Sequence, residues 1–345
     1  ATFGLSAATG RIGFWQLRAR IGRHLDYQDN SADGALINRF DTRRDTIALA
    51  ADVFLSDATT LTVGGDQTRD ELSSTTDFTE SARRNRALFG QLNSRWGALD
   101  VQLALRRDFN QQFGTANTGS LDLAYALTDK WTVTAGHGTA FTAPSFNLLY
   151  YPLVYSWYTG EYDRYSNPDL DPERTRTSRA GIQWQGDALS VETHVFQTDG
   201  DDLIRTGLNP VNLEETRVQG AELVLSYTTN DWRARLDGTY LSTEDRGTGE
   251  ALVRQPRWSG RFDLDRRLGA FGIGASLWGQ SHSEGGPYAA DNDGFVSADL
   301  RGSYRFKRHW RVEARLENLF DRDYQAVHGY PGAPRGLFVG LRYGR

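Results

Sequence analysis

The segment Trp310-Arg-Val-Glu-Ala-Arg-Leu-Glu317 decides the fold class of this chain. Apolar residues occupy every second position of the segment, and a charged residue follows each of them. A β-strand places successive side chains on opposite faces, whereas a helix repeats about every 3.6 residues and would mix the two sets. The segment therefore predicts a strand with one apolar face and one charged face.

The same alternation recurs along the chain. In residues 15–21, for example, Trp15, Leu17, Ala19 and Ile21 share one face. Further copies lie at 47–55, 101–106, 131–135, 221–227, 232–237, 296–306 and 337–343. We count about sixteen such segments of about ten residues, which is the length of a tilted strand that crosses a bilayer. The sequence therefore predicts an all-β chain built from membrane-crossing strands.

The connections between these segments alternate between short and long. Short polar turns are centred near Asp57, Gly97, Asp129, Gly186, Asn230, Gly269 and Lys307. Longer polar stretches lie at about 24–44, 70–82, 107–117, 140–173, 199–213, 243–255, 280–294 and 321–335. Tryptophans at 96, 131, 232 and 310 adjoin short turns, where the aromatic girdle of a membrane barrel belongs. The layout predicts a transmembrane antiparallel β-barrel with short periplasmic turns and long extracellular loops.

A soluble β-sandwich or propeller is the alternative, because its strands also alternate. In that fold the apolar face would form a core, whereas Arg and Glu on nearly every polar face suit a water-filled lumen. The chain has 345 residues, a net charge of −5 and no cysteine. This composition excludes thiol chemistry and gives no basic stripe for nucleic acid. The six histidines are dispersed without metal-ligand spacing, so we expect no enzyme.

Several motifs resemble those of TonB-dependent outer-membrane receptors, in particular the cobalamin (vitamin B12) receptor branch. The longest is Glu317-Asn-Leu-Phe-Asp-Arg-Asp-Tyr324, followed by Gly332 and Arg335. The others, in family order, are Gly138-Thr-Ala-Phe-Thr-Ala-Pro-Ser-Phe146, Asn167-Pro-Asp-Leu-Asp-Pro-Glu173, Asp202-Leu-Ile204 and Arg217-Val-Gln-Gly-Ala-Glu222. The resemblance covers residues 1–345.

The resemblance implies a 22-stranded family barrel, of which this chain matches the later strands as one barrel domain, residues 1–345. We expect the plug domain and the TonB-engaging segment to be absent, and a first residue Ala1 without any methionine predicts a processed or partial chain. The departure at the carboxy terminus is that Tyr343 precedes two further residues, whereas outer-membrane barrels usually end on an aromatic residue.

By the same resemblance, the function is energy-coupled uptake of cobalamin or a related corrinoid in the outer membrane of a Gram-negative bacterium. Outer-membrane lipid and lipopolysaccharide, a cobalamin-like ligand and, through a plug, the TonB complex are the implied partners. A TonB-dependent siderophore receptor and a plugless, porin-like passive pore are the alternatives.

Candidate ligand-binding residues come from the loops. The resemblance places Arg254, Tyr330 and, with a poorer match, Tyr288 on positions that contact ligand in cobalamin receptors. The aromatic-rich stretch 140–173 adds Tyr150, Tyr151 and Trp157, because a large flat ligand fringed with amides needs aromatic surfaces and hydrogen-bond donors.

Calcium is the one candidate cofactor. Asp26, Asp29 and Asp33 lie in one predicted loop, and calcium favours several carboxylate oxygens.

Overall fold

The computed structural model describes residues 1–156, 160–286 and 290–344. Among these residues, seventeen strands belong to one antiparallel sheet, close to the predicted sixteen. The strands are β1 Thr2–Ala8, β2 Trp15–Ala32, β3 Ala35–Ser56, β4 Thr59–Ser74, β5 Ala82–Trp96, β6 Leu99–Asn110, β7 Gly114–Ala126, β8 Trp131–Thr142, β9 Val154–Tyr155, β10 Tyr162–Asp163, β11 Glu173–Gln185, β12 Leu189–Arg205, β13 Val211–Thr228, β14 Trp232–Asp245, β15 Trp258–Leu268, β16 Phe271–Gln280, β17 Phe295–Lys307, β18 Trp310–Glu317, β19 Gln325–Val327, β20 Tyr330–Pro331 and β21 Gly336–Tyr343. The short pairs β9–β10 and β19–β20 stand outside the large sheet.

The strands divide between two compact units. The first contains residues 1–125, 135–178 and 198–216, and the second contains 126–134, 179–197 and 217–345. In the first unit, β1 to β7 pair in chain order, each antiparallel to the next. In the second unit, β14 to β18 pair in the same way, and β18 then pairs with β21. Both runs are meanders of hairpins, as the alternating turn pattern predicts.

The predicted short turns are confirmed. Asp57 lies between β3 and β4, and Gly97 and Gly269 lie between β5 and β6 and between β15 and β16. Both glycines have φ of +61°, a left-handed conformation that glycine adopts without steric cost. The tryptophans at 96, 131, 232 and 310 each end or begin a strand at such a turn and are 36–62% exposed.

Three of the predicted long loops are wrong, because residues 24–44, 107–117 and 199–213 are mostly strand. Strands β2 and β3 stay paired to Ala32 and Ala35, and the two-residue turn Asp33-Gly34 joins them with φ of +52° and +79°. Asp-Gly is a strong signal for a two-residue hairpin turn in which both residues have positive φ. The polar composition of 24–44 obscured this signal.

Ion pairs explain why these polar strands continue as a ladder. Near the hairpin tip, Arg39 donates Nε and Nη2 to the two carboxylate oxygens of Asp29 at 2.6 and 2.7 Å. Further along, Arg44 and Asp70 form a similar two-bond pair between β3 and β4. Opposite charges on facing strand positions stabilise a sheet, so these pairs support β-structure beyond the apolar segments.

The apolar faces of the strands have almost no protein cover. Leu88 and Leu105 are 63% and 62% exposed, and Trp310 and Val312 are both 36% exposed. The buried apolar side chains of the described residues are Leu72, Ala87, Ala116, Leu149, Leu170, Phe295 and Ala298. A soluble protein rarely leaves a large contiguous apolar surface open to water. The structure therefore contradicts the sandwich alternative, in which these faces would be sealed in a core.

Helical structure is minor. The five-residue helix α1 spans Phe146–Tyr150. Its N-cap is Ser145, whose side chain accepts from the Leu148 amide. Within the described ranges, no helix has the length and apolar character needed to span a bilayer.

Exposed leucines on the apolar face should tolerate charge poorly. We expect Leu103→Arg to lower the free energy of unfolding in bilayers by about 2–4 kcal/mol, because Leu103 lies midway along the apolar face of β6 and the change places a guanidinium against hydrocarbon. Gln102→Arg, on the polar face of the same strand β6, is the matched control and should cost less than about 1 kcal/mol. Denaturant titration in lipid vesicles measures both, and equal losses in the two variants would contradict this assignment of faces.

Candidate functional site

The polar face of the first unit is organised by one arginine. Arg106 on β6 makes two hydrogen bonds to Asp66 on β4, at 2.6 and 3.0 Å, and also binds Asp108 at 2.9 Å. Asn85 donates to the same Asp108 at 2.7 Å. Ala87, the cross-strand partner of both aspartates, lies between them. Because the Ala87 side chain is small, Arg106 can reach across β5.

The second unit repeats this device with glycine. Arg301 on β17 donates Nε and Nη2 to Asp265 on β15 at 2.6 and 2.7 Å. Gly274 of β16 stands between them, and a Cβ added there would collide with both side chains. The buried Ser276 accepts from Arg301 and donates to Asp263, each at 2.5 Å. These groups line a charged pocket of about 430 Å³.

The sequence analysis did not identify either of these two arginine–aspartate networks. They could be recognised from pairs of opposite charge two residues apart, such as Arg106 with Asp108 and Arg261 with Asp263, because such pairs share a strand face. What the sequence does not show is the small residue on the neighbouring strand, which depends on register.

Tyr150 and Tyr151 lie in the first unit, at the end of α1, and both are half-buried. The Tyr150 hydroxyl accepts from Gln112 Nε2 at 2.6 Å. The Tyr151 ring lies 6.3 Å from that of Phe40 and 6.0 Å from that of Phe78. The two predicted tyrosines therefore belong to a loop surface with defined partners on β3 and in the connections 75–81 and 111–113.

Arg83 is a member of this loop surface that sequence reasoning missed. Its Nη1 donates to the carbonyl of Pro144 at 2.9 Å, and its guanidinium lies 5.2 Å from the Phe146 ring centroid. Burial lowers the pKa of Arg83 from its usual value. The contact explains part of the Gly138–Phe146 motif, because it anchors the residues that enter α1.

The motif from Asn167 to Glu173 is also anchored by side-chain hydrogen bonds. Asn167 donates Nδ2 to the Pro210 carbonyl at 3.1 Å, and its backbone amide donates to the Leu148 carbonyl at 2.7 Å. Asn212 donates to the carbonyls of Asp171 and Asp202 at 3.0 and 2.6 Å. The motifs at 167–173 and 202–204 therefore meet at Asn212, and their observed role is to fix the loops.

Arg254 and Tyr330 lie in the second unit. Arg254 is exposed, has φ of +61°, and donates its backbone amide to the Glu284 carbonyl at 2.7 Å. It lines a cavity of about 30 Å³ together with Val327 and His328. Tyr330 is the strand partner of Val327 and is 74% exposed. The structure brings the two predicted residues to one loop surface, where the enclosed cavity has about the volume of one water molecule.

Tyr288 and Trp157, the other two predicted ligand contacts, lie outside the described residues. The predicted calcium residues are separated. Asp26 and Asp29 lie on opposite faces of β2, and Asp33 lies in the turn that follows this strand. Asp29 accepts a hydrogen bond from Arg39. That bond lowers the pKa of Asp29. No group of three His, Asp or Glu within the described ranges is arranged to hold a metal ion.

The longest sequence motif forms a hydrogen-bonded turn around the buried Asn318, directly after β18. Asn318, with φ of +48°, donates Nδ2 to the carbonyls of Arg322 and Ala333 at 2.9 and 3.1 Å. Its Oδ1 accepts from the Arg322 amide at 2.9 Å. Tyr324 stacks on the buried Phe295 ring at 4.5 Å. A Cβ at Gly332 would collide with Tyr324, which explains the glycine in this motif.

These features define an all-β protein of antiparallel, two-faced strands with motif-anchored loops, and comparison with known proteins identifies the family. Residues 1–319 match the family described as TonB dependent receptor-like, beta-barrel. The chain belongs to this family, whose members are outer-membrane receptors of Gram-negative bacteria.

Two curated relatives are vitamin B12 transporters BtuB. The protein from Photobacterium profundum is 27% identical over 341 residues, covering 94% of this chain and 54% of the relative. The protein from Vibrio vulnificus is 24% identical over 284 residues, covering 78% and 44%. The chain thus spans about half the length of the curated relatives it matches.

Solved structures show the same fold at lower identity. A ferric enterobactin receptor mutant from Pseudomonas aeruginosa in complex with enterobactin has a TM-score of 0.81 and 20% identity, covering 99% of this chain and 62% of that one. The copper transporter OprC has a TM-score of 0.78 and 20% identity, covering 99% and 65%.

Asn318 should be essential to the closing loop. We expect Asn318→Ala to lower the free energy of unfolding by about 2–4 kcal/mol, because it removes three hydrogen bonds and places alanine at positive φ. Asn318→Gly keeps the backbone conformation and should cost less than the alanine variant. Limited proteolysis within 318–335 and denaturant titration measure the effect. Wild-type behaviour of Asn318→Ala would show that the Asn318 hydrogen bonds do not hold this loop.

Asp202 should make the loop contacts pH-dependent. Burial, followed by the nearby Asp171, raises the pKa of Asp202, so its ionised form is disfavoured in the folded loop. This destabilising contribution is present at pH 7 and is relieved as the pH falls through the raised pKa.

Asp202→Asn should therefore slow hydrogen exchange of the Ile204 and Asn212 amides at pH 7 and have little effect at acidic pH, where Asp202 is protonated. Asn also tolerates the φ of +61° at this position. Faster exchange in the variant at pH 7 would contradict the assignment.

Proposed function

We propose that this chain is the barrel part of an outer-membrane receptor that takes up cobalamin or a related corrinoid. The observation that carries the proposal is the similarity over 94% of the chain to a vitamin B12 transporter. The exposed apolar faces support a position in the bacterial outer membrane. Binding and transport, rather than catalysis, is the activity expected of a receptor of this family.

The two loop surfaces supply the chemistry that a corrinoid needs. Tyr150 and Tyr151 offer half-buried aromatic surface at the end of α1, the helix whose Phe146 ring contacts Arg83, and Arg254 and Tyr330 offer a donor and an exposed ring. Aromatic faces pack against a flat macrocycle, while guanidinium and phenol groups donate to amide carbonyls on its rim. Arg254 and Tyr330 are exposed and adjoin only a water-sized cavity, so we assign binding at that surface to exposed side chains rather than to an enclosed cavity.

In the whole protein, we propose that a plug domain covers the polar face and that the TonB complex acts on that plug. The arginine–aspartate networks around Arg106 and Arg301 would then line the transport path. Their paired charges give a hydrated wall without a large net charge, which suits passage of a polar cargo.

Equilibrium binding of cyanocobalamin to the purified chain in detergent tests the cargo. Tyr330→Ala should weaken binding about tenfold by removing an exposed aromatic contact, without a cost in folding. Tyr27→Ala is the matched control, because Tyr27 is 65% exposed but lies on the apolar side of β2.

The outcomes separate the alternatives. Binding of a ferric siderophore in place of cyanocobalamin would change the cargo and keep the receptor class. Steady ion conductance in a planar bilayer with no binding of either ligand would favour a passive pore. An equal loss of cyanocobalamin binding in both tyrosine variants would overturn the role of Tyr330.

A further inference from the structure

The outward, apolar face of the first unit carries a group of arginines just beyond its leucines. Register shows this directly, because facing residues of an antiparallel pair project to the same side of the sheet. Arg23, Asp45, Arg69 and Arg84 are successive partners across β2 to β5. In the next row towards the apolar segment, Ile21, Ile47, Gln67, Arg86 and Phe109 are partners across β2 to β6.

We call this group the arginine collar. Its members are Arg23, Arg43, Arg69, Arg84, Arg86 and Arg107, with the carboxylates Asp45 and Glu71 among them. The collar lies on the long-loop side of the apolar band, because Arg107 faces Leu88 and Arg86 is two residues from Leu88. A guanidinium in the collar therefore lies about as far from the nearest hydrocarbon-facing side chains as one strand lies from its neighbour.

The collar has more cations than its own carboxylates neutralise. Asp45 binds Arg23 at 2.6 Å and Arg43 at 3.3 Å, and Glu71 pairs with Arg43 and Arg69. Among the described residues, no carboxylate lies within 4.0 Å of a side-chain nitrogen of Arg84, Arg86 or Arg107. Arg84 also has an Nε that is shielded from solvent and has no hydrogen-bond partner within the described ranges.

Two arginines of the collar face each other across neighbouring strands, and their positive charges repel unless an anion lies between them. Arg69 and Arg84 stand directly opposite each other on β4 and β5. Like charges in facing positions destabilise a sheet, and no carboxylate of the row lies on the far side of Arg84. An anion bound between or above the two guanidinium groups would reverse this repulsion.

We propose that the arginine collar binds the phosphate groups of an anionic lipid in the outer leaflet. Guanidinium groups recognise phosphate through paired hydrogen bonds, and the headgroup region is the only part of a bilayer that meets side chains just beyond an apolar band. The acyl chains of the same lipid would lie against Leu88 and Leu105. Phe109, whose ring lies 5.5 Å from the Arg107 guanidinium, suits the interface between the two regions.

Strands β14 to β17 of the second unit lack such a collar at their long-loop ends. At the long-loop ends of β14, β15 and β17, the outward residues are Tyr240, Trp258 and Val296. The second unit does have an outward arginine at the short-turn end, Arg266, which lies 4.7 Å from the Trp232 ring. Arg266 is therefore a matched control for charge on the apolar side.

Binding of bisphosphorylated lipid A to the purified chain in detergent micelles, counted by native mass spectrometry and titrated for affinity, tests the proposal. The triple variant Arg69→Gln, Arg84→Gln and Arg86→Gln should weaken binding at least about tenfold, because each lost guanidinium–phosphate contact is a charge-assisted hydrogen bond. The corresponding triple lysine variant should retain more affinity than the glutamine variant. Arg266→Gln should bind as the parent does.

Dephosphorylated lipid A distinguishes phosphate recognition from acyl-chain contact, and should bind at least about tenfold more weakly to the parent. Heat-modifiable migration on a gel reports whether each variant is folded. Should the triple variant fail to fold, the single variant Arg86→Gln tests the proposal. Arg86 donates to Gln67 and makes no other polar contact within the described part of the chain, so its loss should disturb the fold least. We expect that single variant to bind about threefold more weakly.

Equal binding of the phosphorylated and dephosphorylated lipids would overturn the proposal, as would parental affinity in a folded collar variant. The collar lies on the opposite face of the strands from the charged networks, so this test is independent of the cargo. Loss of lipid binding with normal cyanocobalamin binding, or the reverse, shows which of the two proposals fails.

Discussion

The structure depends on the two-faced strand. Apolar side chains at every second position have no layer of protein against them, and their opposite faces hold paired arginines and carboxylates. In a soluble domain, a core made from the first set would supply the stabilising free energy. Here, among the described residues, only a few apolar side chains are buried by protein, so hydrocarbon must take the place of the core.

Position along each strand then sets the function of each residue. Tryptophans mark the short-turn boundary of the apolar segments, and the arginine collar marks the opposite boundary in the first unit. Beyond that boundary the strands continue as charged ladders and end in loops. The loops are held by asparagines at 167, 212 and 318, the last of them buried, and their side chains replace the ladder hydrogen bonds that the strands no longer supply.

The sequence predicted the parts of the fold that local periodicity controls. Strand type, short turns and aromatic boundaries follow from spacing alone, and the structure confirms them. The extended hairpin at Asp33-Gly34 was missed because polar composition outweighed a two-residue turn signal.

The candidate site was predictable only in part. Resemblance placed Arg254 and Tyr330, and their role in binding stays a prediction. Arg83, the reach of Arg106 over Ala87 and the facing of Arg69 and Arg84 depend on which strands pair and in which register. That register is fixed by the length and geometry of the turns between consecutive strands, which the polar composition of these segments obscures. The loop motifs that carried the family resemblance have structural contacts at Asn167 and Asn318.

The face assignment can be tested residue by residue, because the chain has no cysteine and accepts a single spin label anywhere. Labels placed singly at residues 101–106 of β6, with the protein in lipid vesicles, should alternate. Positions 101, 103 and 105 should be reached by dissolved oxygen from the hydrocarbon, and 102, 104 and 106 by a water-soluble nickel reagent. A strand whose apolar positions are shielded from both reagents, as in a protein core, would contradict the account.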